Sequence, residues 1–230
     1  MRNNIVSLGA DELKYEIREI VAVAKEFQQL GLDITWENIG DPVQKGEHVP
    51  EWIKELIINM MKEDQTYAYS PTKGLEATRE FLAQRANDHG VVKITKEDII
   101  FFNGLGDAIS KVYGQLRKEY RVIGPSPAYS THSSAEASHA GSEYISYNLD
   151  PGNHWYPDLD DLRMKVKYNP SISGILVINP DNPTGAVYPR EVLEEIVAIA
   201  REYDLFVVCD EIYLNLTYNG TKSTPLADVI

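Results

Sequence analysis

Residues 174–213 read "GILVINPDNPTGAVYPREVLEEIVAIAREYDLFVVCDEIY", and the order of elements in that stretch sets the architecture. An unbroken apolar run, "SGILVIN" (173–179), turns through Pro180, Asp181, Asn182, Pro183 and Gly185. Val192, Leu193, Ile196, Val197, Ala200 and Tyr203 then recur at helical spacing and mark one face of a helix over 190–203. A second apolar run, "LFVVCD" (205–210), follows at once. Strand, helix and strand in this order make a parallel pair. Strands that are apolar throughout, rather than alternating, are those covered by helices on both faces.

Upstream the pattern repeats. Candidate strands are "DIIFF" (98–102), "YRVIG" (120–124) and "EYISY" (143–147), with helical patterns at 106–119, 128–140 and 158–168. The predicted fold class is α/β: a three-layer α/β/α body around a mostly parallel sheet. Before it, Leu13, Ile17, Ile20, Val21, Ala24 and Phe27 form a helical stripe over 11–30 that stops at Gly31. "ITWENIGDPVQKG" (34–46) is an extended stretch broken at Gly40 and Pro42. Pro50 opens a second helix with Trp52, Ile53, Leu56, Ile57 and Met60 inward, and a third runs from about Leu75 to His89, ending at Gly90. The boundary is expected near residue 45: an N-terminal arm over 1–45, the α/β body over 46–230.

Composition narrows the function. The 230 residues are 43% hydrophobic and 25% charged, the balance of a globular protein. Acidic residues outnumber basic ones 35 to 22, for a net charge of −13, so a nucleic-acid backbone would be repelled and is not expected as a partner. The single cysteine, Cys209, excludes an internal disulfide framework; it reads as core packing and fits a reducing, cytoplasmic setting. The N-terminus meets Asp11 before any apolar segment long enough for a secretory signal, and "GILVI" and "LFVVC" are too short to span a bilayer. No membrane contact and no metal site are predicted.

In open α/β sheets ligands bind at the carboxyl ends of strands. Three strand ends here carry unusual chemistry: "FFNGLGDAIS", "NPDNPTG" and "CDEIY". Gly104 and Gly106 at a helix start leave backbone N–H groups room to point at an anion, and the helix dipole favours negative charge there. A dinucleotide fingerprint is not met, since its third glycine falls on Ile109, and a P-loop fails for want of G-K-[ST]. Asp210, at the end of a buried strand, needs a partner, and a protonated ring nitrogen is a suitable one. Asn182 and Tyr213 offer an amide and a phenol to an oxyanion, and Tyr129 a ring to stack on a flat heteroaromatic. Singly these residues have plain structural explanations as helix cap, turn and core. Together they describe one ligand, a phosphorylated hydroxypyridine.

The chain resembles the class I/II aminotransferases of the pyridoxal-phosphate fold type I superfamily. The likeness runs nearly its whole length through "NIGDP", "YSPTKGLEATRE", "NGLGDAIS", "PSPAY", "NPDNPTG" and "DEIY". The resemblance implies pyridoxal 5'-phosphate as cofactor, and amino acid and 2-oxo acid as substrates. It implies that Asp210 keeps the pyridine nitrogen protonated, that Asn182 and Tyr213 bond the ring oxygen, and that Tyr129 stacks on the ring. Leu105 and Gly106 would cradle the phosphate, and Tyr69 would reach the phosphate of a neighbouring subunit, hence a homodimer with shared sites. Gly40 lies where the N-terminal segment closes over the substrate carboxylate, and His132 is a candidate to orient Asp210.

One part of the pattern has no match. The family's cofactor-bound lysine sits in an S-x-S-K-like motif beyond the D-E-x-Y aspartate. Lys222 in "YNGTKSTPL", the one lysine after Asp210, has the wrong surroundings and reads as a solvent-facing loop residue. The substrate-clamping arginine and the last strands of the sheet are missing too. The expectation is the N-terminal portion of an aminotransferase, inactive by itself. "NIGDP" with "TKGLEATRE" leans towards the alanine-using branch. A C–S lyase, an aminocyclopropane-carboxylate-synthase-like enzyme, a non-catalytic cofactor-binding remnant and a dinucleotide-binding module are the alternatives.

Overall fold

A computed structural model describes residues 6, 8–13, 16–88, 90 and 92–230, with the side chains of 16–18 left aside. The side chain of Ile17 in the predicted first stripe, and His89 at the predicted end of the third helix, lie outside what is described. By its contacts the chain divides into two compact units, Glu16–Glu76 and Met1–Tyr15 with Ala77–Ile230. The reading from sequence places its boundary near 45.

The larger unit carries the sheet. Its helices are α3 (Glu76–Asn87, whose first residue belongs to the other unit), α4 (Leu105–Gln115), α5 (Ser130–Ala140), α6 (Leu159–Tyr168) and α7 (Arg190–Glu202). Its strands are β1 (Arg121–Ser126), β2 (Ser146–Asp150), β3 (Tyr156–Pro157), β4 (Ile172–Ile178) and β5 (Phe206–Asp210), in the order β3-β2-β1-β4-β5. All pairs are parallel except β2 with β3. Successive β4 residues serve opposite faces. Ile175 and Val177 pack with Leu162 and Val166 of α6 and with Leu193, Ile196 and Val197 of α7. Leu176 and Ile178 pack with Ile109 and Tyr113 of α4. Helices therefore cover both sides, as the unbroken apolarity of "GILVI" requires.

Local chemistry explains where the elements begin and stop. Asp158 caps α6 by accepting the Asp161 N–H at 2.9 Å. Asp204 adopts φ 56° after α7, and the Leu205 N–H returns to the Ala200 carbonyl at 2.8 Å, which ends the helix and launches β5. The helices predicted at 106–119, 128–140, 158–168 and 190–203 are all present within a few residues.

The strand predicted at 98–102 is not. Lys96–Asp98 form a 3₁₀ turn capped by Thr95, and Ile99–Phe102 pair with no strand among the described residues. Ile100, Phe101 and Phe102 are exposed. Apolar, β-branched sequence makes a strand only where a neighbour completes the ladder.

Among the described residues strand β5 has a neighbour on one side only, β4. The Asn179 N–H donates to the Asp210 carbonyl at 3.0 Å, so Asp210 and, by alternation, Val208 and Phe206 turn their amide groups to β4. Val207 and Cys209 present theirs to the open edge. Val207→Pro is therefore expected to be tolerated, whereas Val208→Pro strips a donor from a buried β4 carbonyl and should cost about 1–3 kcal/mol more, read by urea unfolding. Equal losses would contradict this register.

In the smaller unit, α1 (Glu16–Gln29) and α2 (Glu51–Met60) form where their periodicity predicts, α2 directly after Pro50. The predicted inner face of α2 is not covered by the described residues: Trp52, Leu56, Ile57 and Met60 are exposed, as are Ile20 and Phe27 of α1. Periodicity reports which face is apolar, and only a packing partner decides whether it is buried.

Candidate functional site

Asp210 closes β5 and is 5% exposed. Its Oδ2 lies 3.0 Å from Nε2 of His132, itself buried in the first turn of α5, and its Oδ1 accepts the Ile212 N–H at 3.1 Å. A carboxylate only accepts, so in this pair Nε2 carries a proton whatever the state of Nδ1. That Nδ1 is buried without a partner among the described residues. Each Asp210 oxygen retains acceptor capacity towards a further donor.

Tyr129 stands immediately before α5, and its ring meets His132 edge-on, centroids 6.4 Å apart at 76°. Ser130, which follows it, has a buried hydroxyl with no partner among the described residues. The sequence reading missed Ser130, although its place between the two aromatic residues was visible.

Leu105 and Gly106 occupy the first turn of α4, whose leading N–H groups have no helical acceptor. Gly104 before them holds φ 87°, ψ 170°, a region essentially restricted to glycine, and a Cβ at 104 or 106 would meet nothing within 4 Å. Asp107, also overlooked, turns back so that its Oδ2 accepts the Asn103 N–H at 3.2 Å.

Asn182 lies in the loop after β4. Ile178 is in register with Asp210, so this loop and the segment after β5 leave the same end of adjacent strands. Asn182 is half-buried, and among the described residues its side chain makes no hydrogen bond. Tyr213 follows within the turn closed by the Leu214 N–H on the Glu211 carbonyl, and is 37% exposed. Burial pushes the Cys209 thiol well above the ordinary range, and the neighbouring Glu211 carboxylate adds to this, so the thiolate is disfavoured. Lys222 is exposed.

In the smaller unit, Gly40 stands in open backbone where a Cβ would have no neighbour within 4 Å, and Tyr69 is fully exposed. Asp41 accepts the N–H groups of Gln44 and Val43 and the Gln44 amide, bonds that hold its carboxyl below the usual carboxylate range.

A cleft of about 410 Å³ lies between α4 and α5, lined by Ser110, Gly114, Thr131 and Ser138. Of the predicted site residues only Gly106 reaches it. No carboxylate lines it, and Asp210, Asn182 and Tyr213 lie outside it, at or after the strand ends. There an unpartnered Ser130 hydroxyl, open space before a helix N-terminus and an anchored acceptor carboxylate fit a ligand with a phosphate and a cationic ring. Among the described residues no cluster could hold a metal ion, and no helix is long and apolar enough to cross a membrane.

Comparison with known proteins agrees with that chemistry. An aminotransferase of Methanocaldococcus jannaschii, itself uncharacterized, is 66% identical over 100% of this chain and 53% of its own length. The glutamate-pyruvate aminotransferase of Escherichia coli is 33% identical over 93% of the chain and 52% of its own. The chain thus spans about half the length of these relatives. The solved alanine aminotransferase of Pyrococcus furiosus superposes with a TM-score of 0.85 at 32% identity, covering 98% of this chain and 56% of that one. The fold is that of the fold type I enzymes. The family model "Aminotransferase class I and II" matches residues 33–229, and the chain belongs to that pyridoxal-phosphate-dependent family.

Proposed function

We propose that this chain is the cofactor-carrying portion of an aminotransferase of the alanine type, which moves an amino group between an amino acid and a 2-oxo acid. The observation that carries the reading is Asp210, buried and anchored on His132 at the strand end beside the N-P-D-N-P-T-G loop. The similarity to a glutamate-pyruvate aminotransferase and an alanine aminotransferase supports the substrate class.

When bound, pyridoxal phosphate supplies a cationic ring that delocalises the charge left on the substrate carbon as its proton departs. The chain's own residues hold that ring. Asp210 keeps a proton on the ring nitrogen, and it is itself oriented by His132 Nε2–H and the Ile212 N–H. Asn182 and Tyr213 donate to the ring oxygen, Tyr129 stacks on the ring, and the N–H groups of Leu105 and Gly106 take the phosphate. Tyr69 is assigned to the phosphate of a partner subunit in a homodimer, which its full exposure supports. Gly40 is assigned to closure over the substrate carboxylate. The lysine that holds the cofactor and moves the Cα proton, and the arginine that clamps the carboxylate, are assigned to polypeptide outside these residues. The same reading carries a cytoplasmic setting.

Pyridoxal phosphate titrated into this chain should bind weakly, with a perturbed cofactor absorbance, and the chain alone should turn over nothing. Absence of any binding would remove the cofactor assignment, and steady transamination by the chain alone would remove the assignment of the lysine. With the remaining half present, a half-reaction screen should favour alanine and glutamate over aspartate and aromatic amino acids.

A further inference from the structure

The loop between β4 and α7 is closed on itself through one residue that the cofactor contacts do not use. Asp181 is 3% exposed. Its N–H donates to the Ala186 carbonyl at 2.8 Å, and its own carbonyl accepts the Gly185 N–H at 3.0 Å. Its Oδ2 accepts both the N–H and the hydroxyl of Thr184, at 3.1 and 2.5 Å, and the Thr184 hydroxyl oxygen accepts the Ala186 N–H at 3.2 Å. On the other side of Pro180, Asn179 is tied down as well: its Oδ1 accepts the Tyr188 N–H at 2.8 Å. Asn182 and Pro183 sit at the tip of this ring of bonds and contribute none of them.

We propose that Asp181 is the positioning residue for Asn182, its side chain locking residues 181–186 so that the Asn182 amide is presented to its ligand. The part of this that concerns cofactor rests on the function proposed above.

The site is unusual for a purely structural acid. Asp181 Oδ1 and the hydroxyl of Tyr188 are both buried and lie beside each other, and neither has any other hydrogen-bond partner among the described residues. Burial, the largest influence, pushes the Asp181 carboxyl up, and the bonds from Thr184 offset only part of that. The titratable groups that face it are the phenols of Tyr188, Tyr147 and Tyr144, all held uncharged by burial, so Asp181 is the one that changes charge below neutrality. A raised folded-state value means the folded chain keeps this proton to higher pH than the unfolded chain. The contribution of this carboxyl to folding stability is therefore greatest at low pH and is lost as pH rises from the ordinary carboxylate range through the raised value, while the Thr184 bonds favour the carboxylate and work against that loss. Asp181→Asn keeps an oxygen for Thr184, places an NH₂ against the Tyr188 hydroxyl, and does not titrate.

The test compares wild type, Asp181→Asn and Asp181→Ala. Titrated with pyridoxal phosphate, Asp181→Ala should bind about tenfold more weakly and lose the perturbation of the cofactor absorbance. Asp181→Asn should stay within about twofold of wild type and should flatten the acid-side pH dependence of unfolding. A second readout needs no cofactor: amide exchange at Thr184, Gly185 and Ala186, and the side-chain NH₂ resonances of Asn182. Both should change in Asp181→Ala and be restored in Asp181→Asn. Failure of wild type to bind cofactor would count against the function proposed above, and the exchange and resonance data would still decide this one. Unchanged Asn182 resonances and exchange in Asp181→Ala, or no rescue by asparagine, would overturn it.

Discussion

Asp210→Asn is expected to slow amino-group transfer by about two to three orders of magnitude, measured by stopped-flow in the enzyme that includes the half its relatives add. The substitution keeps the shape and removes the charge. Asparagine keeps one acceptor oxygen for either His132 Nε2–H or the Ile212 N–H and turns its NH₂ to the other, a loss of about 1–3 kcal/mol that the fold should survive. What would be lost, in the role proposed for Asp210, is the anion that keeps a proton on the ring nitrogen. His132→Phe should cost less, about tenfold, because it loosens Asp210 without discharging it. In the cofactor-loaded chain alone, Asp210→Asn should also shift the ring's absorbance. Transfer at the wild-type rate would take Asp210 out of its assigned role.

Glu136→Ala should be the most damaging single change to stability, about 3–5 kcal/mol by urea unfolding. Glu136 is fully buried in α5 and receives Arg121 bidentately, Nε at 2.6 Å and Nη2 at 2.9 Å. The guanidinium also donates to Ser142 Oγ and the Glu143 carbonyl, so it is held in place and cannot follow its charge into water. Alanine leaves that cation without its counter-charge at the start of β1. Against a total of about 5–15 kcal/mol for a typical domain, the loss is a large share. Glu136→Gln keeps one acceptor and should cost roughly 1–3 kcal/mol. A loss below that of Glu136→Gln would show that the pair contributes little.

Much of the fold was legible because its signals are local. The α7 stripe, the apolar runs of β4 and β5 and the polar corner between them need only neighbours in sequence. The run at 98–102 misled for the opposite reason. "DIIFF" has strand composition, but a strand is a relation between two chains of backbone, and the described residues give it no partner. The apolar face of α2 was likewise identified correctly as a face and wrongly as an interior.

The candidate site divides the same way. Asn182, Tyr213 and Asp210 stand out in sequence because polar groups directly after apolar runs are costly unless used. The pairing of His132 with Asp210, separated by 78 positions, was suggested by resemblance and given its distance by the fold. Ser130, Asp107 and Asp181 carried no signal of their own, since serine and aspartate at turns and helix starts are commonplace. Sequence by itself determined the alternation of elements, the family and the residue types available at the strand ends, because periodicity and turn chemistry act over a few residues. Only the tertiary structure decided which apolar faces are buried, which strand lies at the open edge and which acid is held by which base. Those depend on groups brought together through space, whose energies no local pattern encodes.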